Sequence, residues 1–261
     1  MSRELALAAL MALPVLAQTG AVAVVADANG RGDAVVWQGS PVLLRASLIL
    51  ARGESVRVGI QDGQWPSAMA WSISGPDGKD PGWPVQLVQM NAAEVTLAPL
   101  QQVTAIWTLS PEDSARLAPG IYQAAVTFDT TKRAAEGAWA GSDTSRWITI
   151  EVSAEPPEPT DEDRVQRAAI LASYQSLTGD TDAAVATLRQ ALETAPGEIV
   201  LLLQLAETQE SGGLIQEALA SISRAVNAFY ERFPNSDHPP AGLLLVQRRI
   251  EAQLAEAGVR P

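Results

Sequence analysis

The stretch from Ala154 to Asp163 divides this chain into two parts with different hydrophobic periods. Pro156, Pro157 and Pro159 fix φ and withhold backbone donors, while Glu155, Glu158 and the run Asp161 to Asp163 repel one another. Such a segment reads as a stiff, extended, solvated linker. Before it, short alternating or apolar runs are punctuated by Gly and Pro; after it, apolar residues recur at helical spacing. A chain of 261 residues is long enough for two cores, and the break says where one ends and the next begins. We expect a first domain over 18–153, a linker over 154–163 and a second domain over 164–258.

The first part predicts an antiparallel sandwich. Candidate strands are Ala21–Ala26, Pro41–Leu50, Ser55–Ile60, Ala68–Ser74, Val85–Met90, Glu94–Ala98, Val103–Leu109, Gly120–Phe128 and Arg146–Val152, with no amphipathic helix of useful length among them. A period of two puts Val103, Ala105, Trp107 and Leu109 on one face, and Met69, Trp71 and Ile73 likewise share one. All seven tryptophans lie at or before Trp147, so the large aromatic core material belongs to this part alone. Leu117-Ala118-Pro119-Gly120-Ile121-Tyr122, followed by Val126 and Phe128, resembles the turn and strand of immunoglobulin-like and fibronectin type III-like modules of exported bacterial proteins. That resemblance implies that Tyr122 is a corner tyrosine, bonded back to the backbone before it.

The second part repeats itself at an offset of 34. Leu171-Ala172 matches Leu205-Ala206, Gly179 matches Gly213, Ala184 matches Ala218, Leu188 matches Ile222 and Ala191 matches Ala225. The pattern resembles the tetratricopeptide (TPR) family, with a helix, a Gly179-Asp180 turn, a second helix and then Pro196. The second copy departs from it, since its second helix runs on to Phe233 and Pro234 comes late. A last helix, Gly242 to Ala257, carries Leu243, Val246, Ile250 and Leu254 at helical spacing and reads as a cap. The resemblance implies five antiparallel helices and a concave groove lined by Gln166, Ala169, Ser173 and Ser176 from the first copy and by Val200, Leu203, Glu207 and Glu210 from the second. The Lys, Arg and Asn with which chaperone-binding members of that family hold a peptide carboxylate are absent from these positions. A mildly acidic, apolar groove suited to a basic or neutral extended segment of another protein is what remains, and packing against the sandwich or a second copy of the chain is the competing use of these helices.

Chemistry is narrowed by what is missing. There is no cysteine and a single histidine, His238, which removes disulfides, thiolate metal sites, thiol nucleophiles and multi-histidine centres and leaves no support for a Ser-His-Asp triad. Thirty acidic side chains against 18 basic ones, net −12, argue against a nucleic-acid partner. No Asp/Glu pair is singled out by its surroundings, so we expect no catalytic residue, no cofactor and no metal. Asp27-Ala28-Asn29-Gly30-Arg31-Gly32-Asp33 resembles oxygen-rich calcium loops, but Gln38 stands where an EF-hand needs Glu, and a strand-to-strand turn serves equally. Within it, Arg31-Gly32-Asp33 also spells a cell-attachment tripeptide, a match short enough to arise by chance. Trp65, Trp83 and Trp139 sit in Pro/Gly-rich loops, where they are either plugs of the sandwich or a carbohydrate-stacking surface.

Met1 to Ala17 has a basic residue, an apolar run, a proline and small residues before Gln18, the pattern of a signal peptide cut after Ala17 or, alternatively, after Ala23. An uncleaved span over Leu5–Ala26 would instead anchor the chain in the inner membrane. The expectation is a multidomain β + α chain, a sandwich followed by a short helical-repeat domain, exported to the periplasm or medium. It would serve as a non-enzymatic adaptor or scaffold, with a carbohydrate-binding accessory role as the alternative and self-association open.

Overall fold

A computed structural model describes residues 21–61, 63–90 and 95–256. The expected signal segment and the start of the first domain at residue 18 lie outside the described residues. Two apolar cores form, one built from strands between Val22 and Val152 and one from helices between Ala172 and Ile250.

The sandwich has a first sheet in the order β1 (Val22–Ala28), β3 (Val42–Leu50), β8 (Gln102–Leu109), β6 (Gln86–Met90), all antiparallel. In the second sheet β9 (Gly120–Asp129) pairs with β5 (Met69–Ser74) on one side. On its other side lie β10 (Ser142–Thr144) and β11 (Ile148–Ser153), and β2 (Asp33–Trp37) pairs with β11 in parallel. A small ladder of β4 (Val56–Val58) and β7 (Val95–Leu97) lies beside these sheets. A first strand that splits, pairing antiparallel in one sheet and parallel with the last strand in the other, leaves a sheet of four strands facing one of five. That is an immunoglobulin-like sandwich arrangement. The corner tyrosine is present too: the Tyr122 hydroxyl donates to the Ala118 carbonyl at 2.9 Å. Burial raises the Tyr122 pKa above that of a free phenol. Just before it, Gly120 has φ +145, and a Cβ there would lie 2.6 Å from Pro76 Cγ, so the turn into β9 admits only glycine.

The period of two is realised as expected: Val103, Ala105, Trp107 and Leu109 all point inward. Three elements had no clear local signal, namely β2, β10 and the single turn α1 (Pro111–Ser114), which Ser110 caps by accepting the Asp113 N–H. Asp33–Trp37 is short and half exposed, and its partner β11 lies more than a hundred residues away, so nothing in its neighbourhood announces a strand.

The loop before β2 is a tight two-residue turn. Asn29 and Gly30 take φ +50 and +79, and Ala28 and Arg31 exchange backbone hydrogen bonds at 2.9 Å each. Its oxygens are already engaged. Asp27 Oδ1 accepts from the Gly30 amide, Asp27 Oδ2 from Arg45 Nε at 2.8 Å, and Asn29 Oδ1 from the Leu43 amide. The turn reading therefore accounts for Asp27 to Asp33, and among the described residues no cluster of His, Cys, Asp or Glu is arranged to hold a metal ion.

Beyond Ser153, α2 (Asp161–Leu177) begins at a capping box in which Thr160 and Asp163 exchange hydrogen bonds, and the bonds donated to Asp163 hold its carboxyl below the usual carboxylate range. It is followed by α3 (Thr181–Thr194), α4 (Ile199–Ser211), α5 (Ile215–Arg232) and α6 (Ala241–Glu256), each packed on the one before. Gly179 and Gly213 occupy the two equivalent helix-to-helix turns with φ +90 and +77. Ala172, Ala184, Ala206 and Ala218 are fully buried, which lets the backbones of each hairpin approach closely, and Leu188 and Ile222 fill the matching core positions. No helix among the described residues is long and apolar enough to cross a membrane.

Candidate functional site

Helix α2 lies against the sandwich. Arg167 sits 5.8 Å over the Trp37 ring and pairs with Glu155 of the linker. Near the other end of the helix the Tyr174 pKa is raised, chiefly by burial and further by Glu112 and Asp113 of α1. Held this way, α2 and α4 face the outer surface of the first sheet across a groove of about 1020 Å³.

Gln166, Ala169, Ser173, Ser176, Val200 and Glu207 line the helical wall, and Leu43, Arg45, Gln89 and Ile106 line the sheet wall, with Asp27 and Arg31 from the β1–β2 turn. Gln204 ties the helical wall together, its amide donating to the Ala169 carbonyl at 2.8 Å and to Ser173 Oγ at 2.9 Å. The structure thus brings Gln166, Ser173, Ser176 and Glu207 to one surface. The sheet wall was invisible to sequence reasoning, because the outward residues of β3 and β8 look like any exposed strand face until a second module covers them.

Two of the expected groove residues belong elsewhere. Leu203 packs on the helical core. Glu210 turns to α6, accepting from Arg249 Nε at 2.8 Å and Nη2 at 2.6 Å and from Gln253 Nε2 at 2.8 Å, with its own side chain only 9% exposed. The reason lies in the cap helix, which brings a guanidinium whose fork matches a carboxylate better than open solvent does. Glu207, one helical turn away, has no such partner among the described residues. Its side chain is exposed at the groove mouth, and partial desolvation there still pushes its pKa up, an effect that Arg249 opposes and Glu210 reinforces. Glu210→Ala is expected to loosen α6, costing on the order of 1–2 kcal/mol and speeding amide exchange in α6 before that in α4; unchanged exchange in α6 would show that apolar packing alone holds it.

The three loop tryptophans are plugs. Trp65 is fully buried in a 3₁₀ turn (Trp65–Ala68) and meets Phe128 edge-on at 6.3 Å, Trp139 stacks on Phe128 at 5.7 Å, and Trp83 lies 5.2 Å from Tyr122. Trp65 and Trp83 are buried and the half-buried Trp139 lays one face on Phe128, so a carbohydrate-stacking surface shared by Trp65, Trp83 and Trp139 is withdrawn. His238 sits exposed in the loop before α6, away from the groove.

The described residues define a two-module chain, an immunoglobulin-like antiparallel sandwich carrying a helical stack, with a groove between them. No protein family and no curated protein matches the sequence. Among solved structures the chain is similar to a family 123 glycoside hydrolase from Clostridium perfringens, at 11% identity and TM-score 0.30, over 54% of this chain and only 28% of that one. It is similar also to a CARDB domain from Pyrococcus furiosus, at 12% identity and TM-score 0.27, over 51% of this chain and 87% of that one. A third likeness is to the M1 domain from titin, at 12% identity and TM-score 0.22, over 54% of this chain and 100% of that one. These likenesses are too distant to carry function, and the sandwich assignment rests on strand order and the corner tyrosine.

Proposed function

We propose that this chain is a non-enzymatic interaction protein of the bacterial envelope or medium, an adaptor or scaffold that holds a segment of another protein in the groove between its sandwich and a TPR-like helical stack. One observation carries the reading: Gln166, Ser173, Ser176 and Glu207, residues assigned to a groove from a 34-residue register, line one wall of a cleft that a second module completes. The repeat supports the TPR-like assignment through its equivalent turns and buried alanines. Export follows from the Met1–Ala17 pattern, and amino-terminal sequencing of the mature protein tests it, a terminus at Met1 being the result that removes cleavage.

The test of the groove is site-specific photo-crosslinking in the full chain in its native envelope. A photoreactive residue at Ser173 should give a discrete adduct with another protein, and one at Glu193, on the opposite side of the stack, should not. Equal labelling from both positions, or none from Ser173, overturns the groove reading.

A further inference from the structure

We propose that the occupant of this groove is an extended segment carrying two basic side chains about six residues apart, one answering Glu207 and the other Glu162. The proposal rests on the groove reading above and adds to it the conformation, charge and spacing of what binds.

Charge comes first. Of the carboxylates lining the groove, Asp27 is taken by Arg45 at 2.8 Å, Asp161 by Arg164 at 3.3 Å, and Glu198 faces Arg232 at 3.9 Å. Glu162 and Glu207 make no ion pair among the described residues, and the guanidinium nearest Glu207, Arg249, gives both arms of its fork to Glu210. Against these two carboxylates stands Arg31 as the groove cation without an ion pair among the described residues. The balance favours a cationic occupant.

Conformation follows from the polar lining. The Gln166 amide and the Ser176 hydroxyl make no side-chain hydrogen bond within the described protein, although both line the groove. An extended backbone presents free N–H and C=O groups to such side chains, whereas a helix has already satisfied its own. Leu43 and Ile106 across the groove offer apolar contact to residues between the basic ones.

Spacing follows from the repeat. The offset of 34 sets Glu207 of α4 level with Ser173 of α2. At ~1.5 Å per helical residue, Ser173 lies about 16 Å along the axis from Glu162. With α4 about 9 Å beside α2, the two carboxylates are roughly 19 Å apart, which an extended chain at ~3.3 Å per residue covers in about six residues, an even spacing that turns both side chains to the same wall.

The probe is a fluorescein-labelled peptide of alternating Ser and Val with two lysines six positions apart, read by fluorescence anisotropy against the full chain. Two control peptides carry glutamates in place of the lysines, or the lysines two positions apart. The six-apart lysine peptide should bind in a salt-sensitive manner, and each control should be weaker by about fivefold or more. Glu207→Gln and Glu162→Gln should each weaken binding about fivefold, Arg31→Gln should tighten it, and Glu193→Gln and Glu217→Gln, on the opposite face, should change nothing. Thermal melts confirm that each variant is folded. Equal binding of lysine and glutamate peptides, equal binding at both lysine spacings, or equal losses from opposite-face variants overturn the proposal. If no peptide binds while the Ser173 photo-crosslink persists, the proposed occupant fails and the groove stands; loss of both removes the groove as well.

Discussion

Trp65→Ala is expected to cost about 3–5 kcal/mol, read from chemical denaturation followed by tryptophan fluorescence. The side chain is fully buried, and it closes one end of the sandwich with Phe128 edge-on to it and Trp139 stacked beyond. Removing the indole leaves a void bounded by rings that are already committed to each other, so collapse can fill only part of it. A domain of this size holds roughly 5–15 kcal/mol in all, and the variant sandwich would sit near its threshold. Trp65→Phe keeps an aromatic edge against Phe128 and should lose clearly less. A cost below about 1 kcal/mol would place the indole at the surface and reopen the stacking role withdrawn above.

Leu188→Ala is expected to cost about 2–5 kcal/mol, but in the other module. Leu188 is fully buried in α3 at the position that Ile222 repeats in α5, and both lie in a core that shares no residue with the sandwich. The distribution of chromophores makes the separation measurable. All seven tryptophans lie at or before Trp147, so fluorescence follows the sandwich, while far-ultraviolet circular dichroism is dominated by α2 to α6. Leu188→Ala should shift the dichroism transition and leave the fluorescence transition in place, and Trp65→Ala should do the reverse. The modules meet through Arg167 on Trp37 and the surroundings of Tyr174, contacts on the scale of ~1 kcal/mol apiece. If both probes shift together in either variant, that contact couples the modules into one cooperative unit.

Several elements were legible because their signals are local. Val103 to Leu109 alternates, and its buried set is the one that alternation names. Gly179 and Gly213 mark turns that need positive φ, and Thr160 with Asp163 marks the start of α2. Tyr122 could be placed because a corner tyrosine bonds only four residues back. What escaped was non-local: β2, whose partner is β11, and β10, whose Asp143 accepts the Val24 amide across the sandwich at 2.8 Å. Glu210 was misassigned for the same reason. Its partner Arg249 is on a cap helix that no repeat position anticipates.

Residue order alone settles that an alternating, tryptophan-rich part precedes a helical part with a 34-residue period, because strand and helix periods, turn glycines and caps act over a few residues. The same order excludes thiol and multi-histidine chemistry, since those side chains are absent. Packing decides the rest. Whether a tryptophan in a loop is a platform or a plug, whether an acidic residue faces a groove or a guanidinium, and whether a strand face meets water or a second module all depend on residues far away in the chain. Burial and ion pairing are properties of surroundings, and the surroundings of Trp65, Glu210 and Ile106 exist only once both modules have folded and docked.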